Sequence, residues 1–290
     1  MLDLYVNQRI HEMARELENK LEGSVIYYYG PIFESFVKFF RNNIEEISKR
    51  NNGKLQKICI FIKTTGGQVE AVEKMVDIVR HHYKEVWFFV PDYAMSAGTI
   101  FCLSGDKIFM DYSSSLGPID PQVQIMQDGR TVWVPALGAL EQFERLIEKS
   151  FNGNLSPAEF ALLQNQNLAV LSSYEHARDL SIDLAKEWLV QYKFKNWNKH
   201  RTDKNKKNQN VTYDEKLQRA SEIVGNLADH KLWHSHGRFI SANMLRDKLK
   251  IEIDDYPKDV VSLIRDYNDL LTDYLEQKNY NIFIHNCHMN

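Results

Sequence analysis

The chain has 290 residues, a formal net charge of -3, and 43% hydrophobic and 26% charged residues. That balance excludes a disordered or fibrous polypeptide, and a charge so near neutral argues against nucleic acid or an anionic membrane as the main partner. Cys59 and Cys102 sit inside apolar runs and Cys287 stands apart, so buried thiols in a reducing compartment are expected rather than a disulfide scaffold.

Residues 1–23 read as a charged N-terminal helix with no signal-peptide pattern. No apolar run approaches the length of a membrane span. A cytoplasmic protein is expected, with peripheral membrane association left open. Residues 25–29 form a β-branched and aromatic strand stopped by Gly30 and Pro31. Residues 32–50 are helical, with Phe36, Phe39, Phe40 and Ile44 toward one face. Residues 58–62 are a continuous apolar run, the pattern of a strand buried on both faces of a parallel sheet. The helix from 68 to 82 carries Val69, Val72, Val76 and Val79 as its core stripe. A strand at 86–90 leads into a turn and a helix that opens at Ser96. A short strand at 107–110 and a loop at 113–118 follow. Strands alternating with helices through 24–135 indicate an α/β core with a mostly parallel sheet.

Beyond it the pattern becomes helical. Residues 136–149 and 158–193 read as helices, making 136–193 a helical segment that packs on the core. Residues 194–214 form a basic flexible loop that includes Lys195, Lys199, Arg201, Lys204, Lys206 and Lys207. Solvation accounts for it better than nucleic acid. Residues 215–290 are read as a helical C-terminal region. It holds helices at 215–227 and 260–276, and one capped by Ser241 that carries Met244, Leu245 and Leu249. No internal repeat and no Cys-x-x-Cys metal motif is found, and neither a metal nor another cofactor is expected.

Two strand-to-helix turns carry the chemistry-bearing residues. Ser96 stands among small residues at a helix N-terminus, where free backbone N–H groups and the helix dipole favour negative charge. A serine there serves equally well as a helix cap. Gly66 and Gly67 follow the strand at 58–62, and paired glycines bring backbone N–H groups close to a ligand. If the two turns adjoin, the N–H groups of Gly67 and Ala97 point at one oxygen, as in an oxyanion hole.

Thr64-Thr65-Gly66-Gly67, Ala94-Met95-Ser96-Ala97-Gly98-Thr99 and Ser115-Leu116-Gly117-Pro118-Ile119-Asp120-Pro121-Gln122 resemble, in that order, the motifs of the Clp/crotonase-fold serine peptidases. The closest group is the serine dehydrogenase proteinase (SDH) family, related to signal peptide peptidase A. The Leu-Gly-Pro-Ile-Asp-Pro-Gln string is the most specific element, and Trp233-His234-Ser235-His236-Gly237-Arg238 is similar to a C-terminal feature of the group. The resemblance implies a Clp/crotonase-like α/β fold with a helical C-terminal extension, and peptide hydrolysis through a serine acyl-enzyme. Ser96 would be the nucleophile, Gly66, Gly67 and Ala97 the oxyanion site, and Leu116, Gly117 and Pro118 part of the substrate cleft. It also implies a peptide or protein substrate and a homo-oligomer.

The general base is open at this stage. Clp subunits place a histidine on the loop after the nucleophile, and residues 115–118 hold none. Signal peptide peptidase A and its relatives use a lysine, for which Lys149 and Lys186 are candidates. His236 is the third, with His234 pointing the same way if the segment is extended. Asp120 could orient a base. A crotonase-like acyl-thioester enzyme and a non-catalytic oligomeric scaffold are the alternative readings. The serine dehydrogenase activity in the family's name would need a Schiff-base lysine and a phosphate cradle, and neither is seen.

Overall fold

The computed structural model of the chain describes residues 2–51, 56–120, 122–127, 129–200 and 206–288. Pro121, Arg201 and Lys204 lie outside the described residues. Helix α1 (Leu2–Leu21) leads into strand β1 (Ser24–Tyr29), and helix α2 (Glu34–Arg50) crosses to β2 (Lys57–Lys63). Helix α3 (Val69–His82) leads to β3 (Glu85–Val90), and a two-residue strand β4 (Tyr93–Ala94) precedes helix α4 (Ala97–Leu103) and β5 (Lys107–Met110).

Strands β1, β2, β3 and β5 lie side by side in that order and parallel in the central sheet, whose fifth strand, Phe283–His285, runs antiparallel to β1. Alternate side chains explain why their sequences are apolar without a break. Ile58, Ile60 and Ile62 enter the core shared with α2, α3 and α4, while Cys59 and Phe61 enter a second core on the other face, against α1. All three crossover helices pack on one face, as connections of one hand between adjacent strands require. On the opposite face Phe61, Phe89 and Phe109 stack in a row across β2, β3 and β5, with ring centroids 4.7 Å and 4.5 Å apart. Such cross-strand pairs help to hold the register.

The remainder follows in chain order: β6 (Ser115–Leu116), the hairpin of β7 (Gln122–Gln127) and β8 (Arg130–Pro135), then helices α5 (Ala136–Phe151), α6 (Pro157–Gln164) and α7 (Leu168–Trp188). A π-helical turn (Leu189–Lys193) ends α7. Next come α8 (Tyr213–Ala228), α9 (His230–Trp233), β9 (Ile240–Ser241), α10 (Ala242–Asp247), α11 (Val261–Gln277) and β10 (Phe283–His285).

Several expectations are corrected. The helix read through 158–193 is broken between α6 and α7, because Asn167 accepts from the N–H groups of Ala169 and Val170 and caps a new start. The loop at 113–118 contains β6, which pairs with β4. The region 215–290 is not purely helical. Its β9 pairs antiparallel with β6, and β10 extends the central sheet beside β1. Phe39, read on the core face of α2, is 42% exposed, and Phe40 and Ile44 carry the burial instead. The described flanks of the basic stretch pair with one another through a Lys199–Asn210 bridge.

Candidate active site

The Ser96 turn is built by close contact between backbones. The Thr64 N–H donates to Tyr93 O (3.1 Å) and the Met95 N–H to Thr64 O (3.0 Å), so the two strand-to-helix turns are zipped together. Gly66 has a positive φ of 96°, and a Cβ there would lie 2.6 Å from Met95 O, 2.8 Å from Ser96 Cβ and 3.2 Å from Ala97 N. Only glycine fits, and the turn rests directly on the serine. The third motif closes the other side. The buried Thr99 hydroxyl accepts from Gly117 N–H (2.9 Å) and lies within donating reach of Ala94 O (2.8 Å) and Gly117 O (2.9 Å).

Ser96 is held at φ 51° and ψ -120°, a conformation non-glycine residues rarely adopt and one that recurs at functional sites. Although it precedes α4, its hydroxyl makes no capping bond. The helix-cap role is therefore not the one it fills. Ser96 is half-buried, within reach of a ligand. The backbone N–H groups of Gly67 and Ala97 find no acceptor among the described residues. Free backbone donors on two turns that touch at a strained serine are the elements an oxyanion site requires.

His236 and Asp120 come together. Nδ1 of His236 lies 2.8 Å from Oδ1 of Asp120, with the carboxylate buried and the imidazole side chain 17% exposed. The small sheet β4-β6-β9 explains how the pair comes to lie at the same end as Ser96. Strands β4 and β6 are parallel, and β9 runs antiparallel to β6. Ser96 lies just past the end of β4, Asp120 just past the end of β6, and His236 just before the start of β9. All three therefore emerge at the same end of that sheet. The segment around His236 is not extended: His234 has a positive φ of 61° and is exposed, so the two histidines do not act as a pair.

The lysines behave differently. Lys149 Nζ is 2.5 Å from Glu159 Oε1, and Lys186 Nζ is 3.1 Å from Asp183 Oδ1. Neither makes a hydrogen bond or ion pair with the Ser96 turn among the described residues. Lys63, next to Thr64, is the lysine nearest in the chain to the Gly66–Gly67 turn. Burial would lower its pKa, but the hydrogen bonds and charges of Asp92 and Glu276 outweigh burial and raise it, which keeps it a cation. Burial does push Lys193 down, yet Lys193 shares a cleft with Asp106 and Lys107 at the start of β5, whereas Ser96 follows the end of β3. Leu116, Gly117 and Pro118 are buried in the seam between β4 and β9.

Residues 12–142 match the family model of the ClpP-like SDH-type serine proteinases. The matched segment contains Ser96, the Gly66–Gly67 turn and Asp120; His236 lies beyond it. Two uncharacterized proteins of Methanocaldococcus jannaschii are each 35% identical to the chain, one over 123 residues (39% of this chain, 42% of that protein), the other over 92 (32% and 29%). The chain thus spans under half the length of either relative. Among solved structures, ClpP1 from Listeria monocytogenes is 14% identical with a TM-score of 0.38, covering 88% of this chain and 98% of that one.

Proposed function

We propose that the chain is a serine peptidase in which Ser96 is the nucleophile, His236 the general base and Asp120 the residue that orients it. The observation that carries this reading is the His236–Asp120 pair, delivered to the same sheet end as Ser96. Asp120 accepts the Nδ1–H and leaves Nε2 of the neutral ring free to accept a proton. The Ser96 hydroxyl loses its proton to Nε2 as Oγ attacks the peptide carbonyl. The tetrahedral oxyanion is met by the N–H groups of Gly67 and Ala97, each such donor being worth about 3 kcal/mol in a transition state. Nε2 then hands the proton to the leaving amine. A water, deprotonated by the same nitrogen, releases the acyl group from Ser96.

Among the described residues no helix is long and apolar enough to cross a membrane. The substrate is a peptide or protein, and the chain works as a homo-oligomer in the cytoplasm, with light scattering as the check on assembly. The deciding experiment pairs a fluorophosphonate probe with hydrolysis of an unstructured protein such as casein. Ser96 should take the label in the intact protein, and folded Ser96→Ala should lose both label and hydrolysis, the latter by a factor on the order of 10⁴ or more. Full hydrolysis by folded Ser96→Ala would sink the reading.

A further inference from the structure

Glu18, on α1, meets Cys287 and His288, which follow β10, and we propose that these three side chains bind a zinc ion that clasps the end of the sheet to α1. Their donor atoms, one carboxylate oxygen, one sulfur and one imidazole nitrogen, all lie within 4.8 Å of one another. Cys287 Sγ is 3.0 Å and His288 Nε2 is 3.4 Å from the same Glu18 Oε2. A tetrahedral zinc ion with bonds of about 2.0–2.3 Å sets its donors roughly 3.3–3.8 Å apart. Small shifts bring all three onto such an ion, with a fourth position for water.

Two further observations point to a ligand. His288 Nε2 is buried and has no hydrogen-bond partner, a condition native interiors seldom leave unrelieved. Glu18 is also pre-oriented. Its Oε1 accepts the Val25 backbone N–H at 3.0 Å, which turns Oε2 toward the sulfur and the ring nitrogen. Support of this kind for a ligand is typical of metal centres. The donor chemistry selects the ion. One hard oxygen is too few for calcium or magnesium, whereas a thiolate, an imidazole and a carboxylate together suit zinc. Binding is balanced by the loss of one proton: the Cys287 S–H now given to Glu18 goes to solvent, and the thiolate bonds the metal. The site is built from residues far apart in the chain, on the face of the sheet that holds α1 and α11, so its occupancy bears on stability and not on the chemistry at Ser96.

The test uses the full chain, stripped with chelator and then titrated with zinc and, as a spectroscopic substitute, cobalt(II). One equivalent should bind, a thiolate-to-cobalt charge-transfer band should appear, and zinc should raise the melting temperature. Cys287→Ser should abolish the band. His288→Gln and Glu18→Gln should each weaken binding at least about tenfold, while Ser96→Ala should bind as the parent does. If Cys287→Ser does not fold, His288→Gln decides, because its ring is partly exposed at the surface. Absence of saturable binding, affinity unchanged in His288→Gln, or a cobalt–thiolate band that survives Cys287→Ser would overturn the site.

Discussion

Ser96 and His236 reach the same end of the β4-β6-β9 sheet by different routes. The serine side is made from three motifs close together in the chain, locked by backbone contacts so tight that Gly66 and Gly67 have no room for a Cβ. The histidine side arrives from more than a hundred residues away. It hangs on the two-residue pairing of β6 with β9, on the Trp233 Nε1–H bond to Asn226 O at 2.7 Å, and on one carboxylate. Its neighbours His234, Ser235, Gly237 and Phe239 are exposed. The Ser96 half is thus part of the fold's core, while His236 is attached to it. Damage to the first half should therefore cost stability and rate together, and damage to the second should cost rate more than stability.

The sharpest test of that contrast is the pair His236→Ala and Asp120→Asn. Each should lower kcat by about 10³–10⁴-fold, with the double variant little worse than either single one because the two act as a unit. His236→Ala should melt lower than Asp120→Asn, since it leaves the buried Asp120 carboxylate without the imidazole, whereas Asp120→Asn removes that charge and should melt within a few degrees of the parent. Rates within tenfold of the parent for both variants would remove His236 from the mechanism and return the question to the lysines. Gly66→Ala should behave in the opposite manner. Its added Cβ meets Met95 O at 2.6 Å on backbone with φ 96°, and the strain should cost roughly 2–3 kcal/mol in urea unfolding. Displacement of the Ala97 N–H should lower kcat by a further factor of about 10². A stable Gly66→Ala with normal kcat would show that the turn does not support the serine.

The same contrast explains what the sequence made legible. Strands β1, β2, β3 and β5 are apolar because both faces are buried, and that run-length signal needs no knowledge of the rest of the fold. The Ser96 and Gly66–Gly67 turns were readable because each follows such a strand and precedes a helix. Strand β9 was not, because two residues carry no periodicity and Ile240–Ser241 acquires its role only by pairing with Leu116 and Ser115. Strand β10 is similar, at three residues beside β1. The base stayed undecided for that reason: no local pattern says that the segment before β9 ends beside Asp120. Local signals that were present could have been used, notably Ser156-Pro157 with Glu159, whose capping box starts α6. Phe39 misled because a helical face is wider than the stripe that finally packs.

A smaller effect probes the seam between the two halves. Thr99 joins the serine turn to β6 through Gly117 and Ala94. Thr99→Val keeps the shape but leaves the buried Gly117 N–H only its longer bond to Ala94 O at 3.3 Å, at a cost of about 1 kcal/mol by chemical denaturation. The rate should drop less than in Gly66→Ala, since the donors of the oxyanion site are untouched. A larger loss of rate than of stability would mean that the seam positions Asp120 as well.

The smallest effect concerns the helix that leads to His236. At the start of α8, Glu215 accepts from Lys206 Nζ (2.7 Å) and from the Thr212 N–H (2.9 Å), while Thr212 caps the Glu215 N–H in return. The Lys206 bond first, then the Thr212 backbone, holds the Glu215 carboxyl at about 2, below its usual 4.5. The sign follows from that depression: the stabilisation is complete above pH 4.5 and is lost as pH falls toward 2, because the unfolded chain takes up the proton first. Glu215→Gln should lower the melting temperature slightly at pH 7 and make the decline between pH 4.5 and 2 shallower, as followed by circular dichroism. Hydrolysis at pH 7 should barely change. The far end of α8, where Leu227 O accepts the Ile119 N–H at 3.1 Å, is what holds the Asp120 loop, and the cap lies at the other end of the helix. A marked loss of rate in Glu215→Gln would instead show that the base is tethered through the whole length of α8, and that the attached half of the site is less independent of the fold than its contacts indicate.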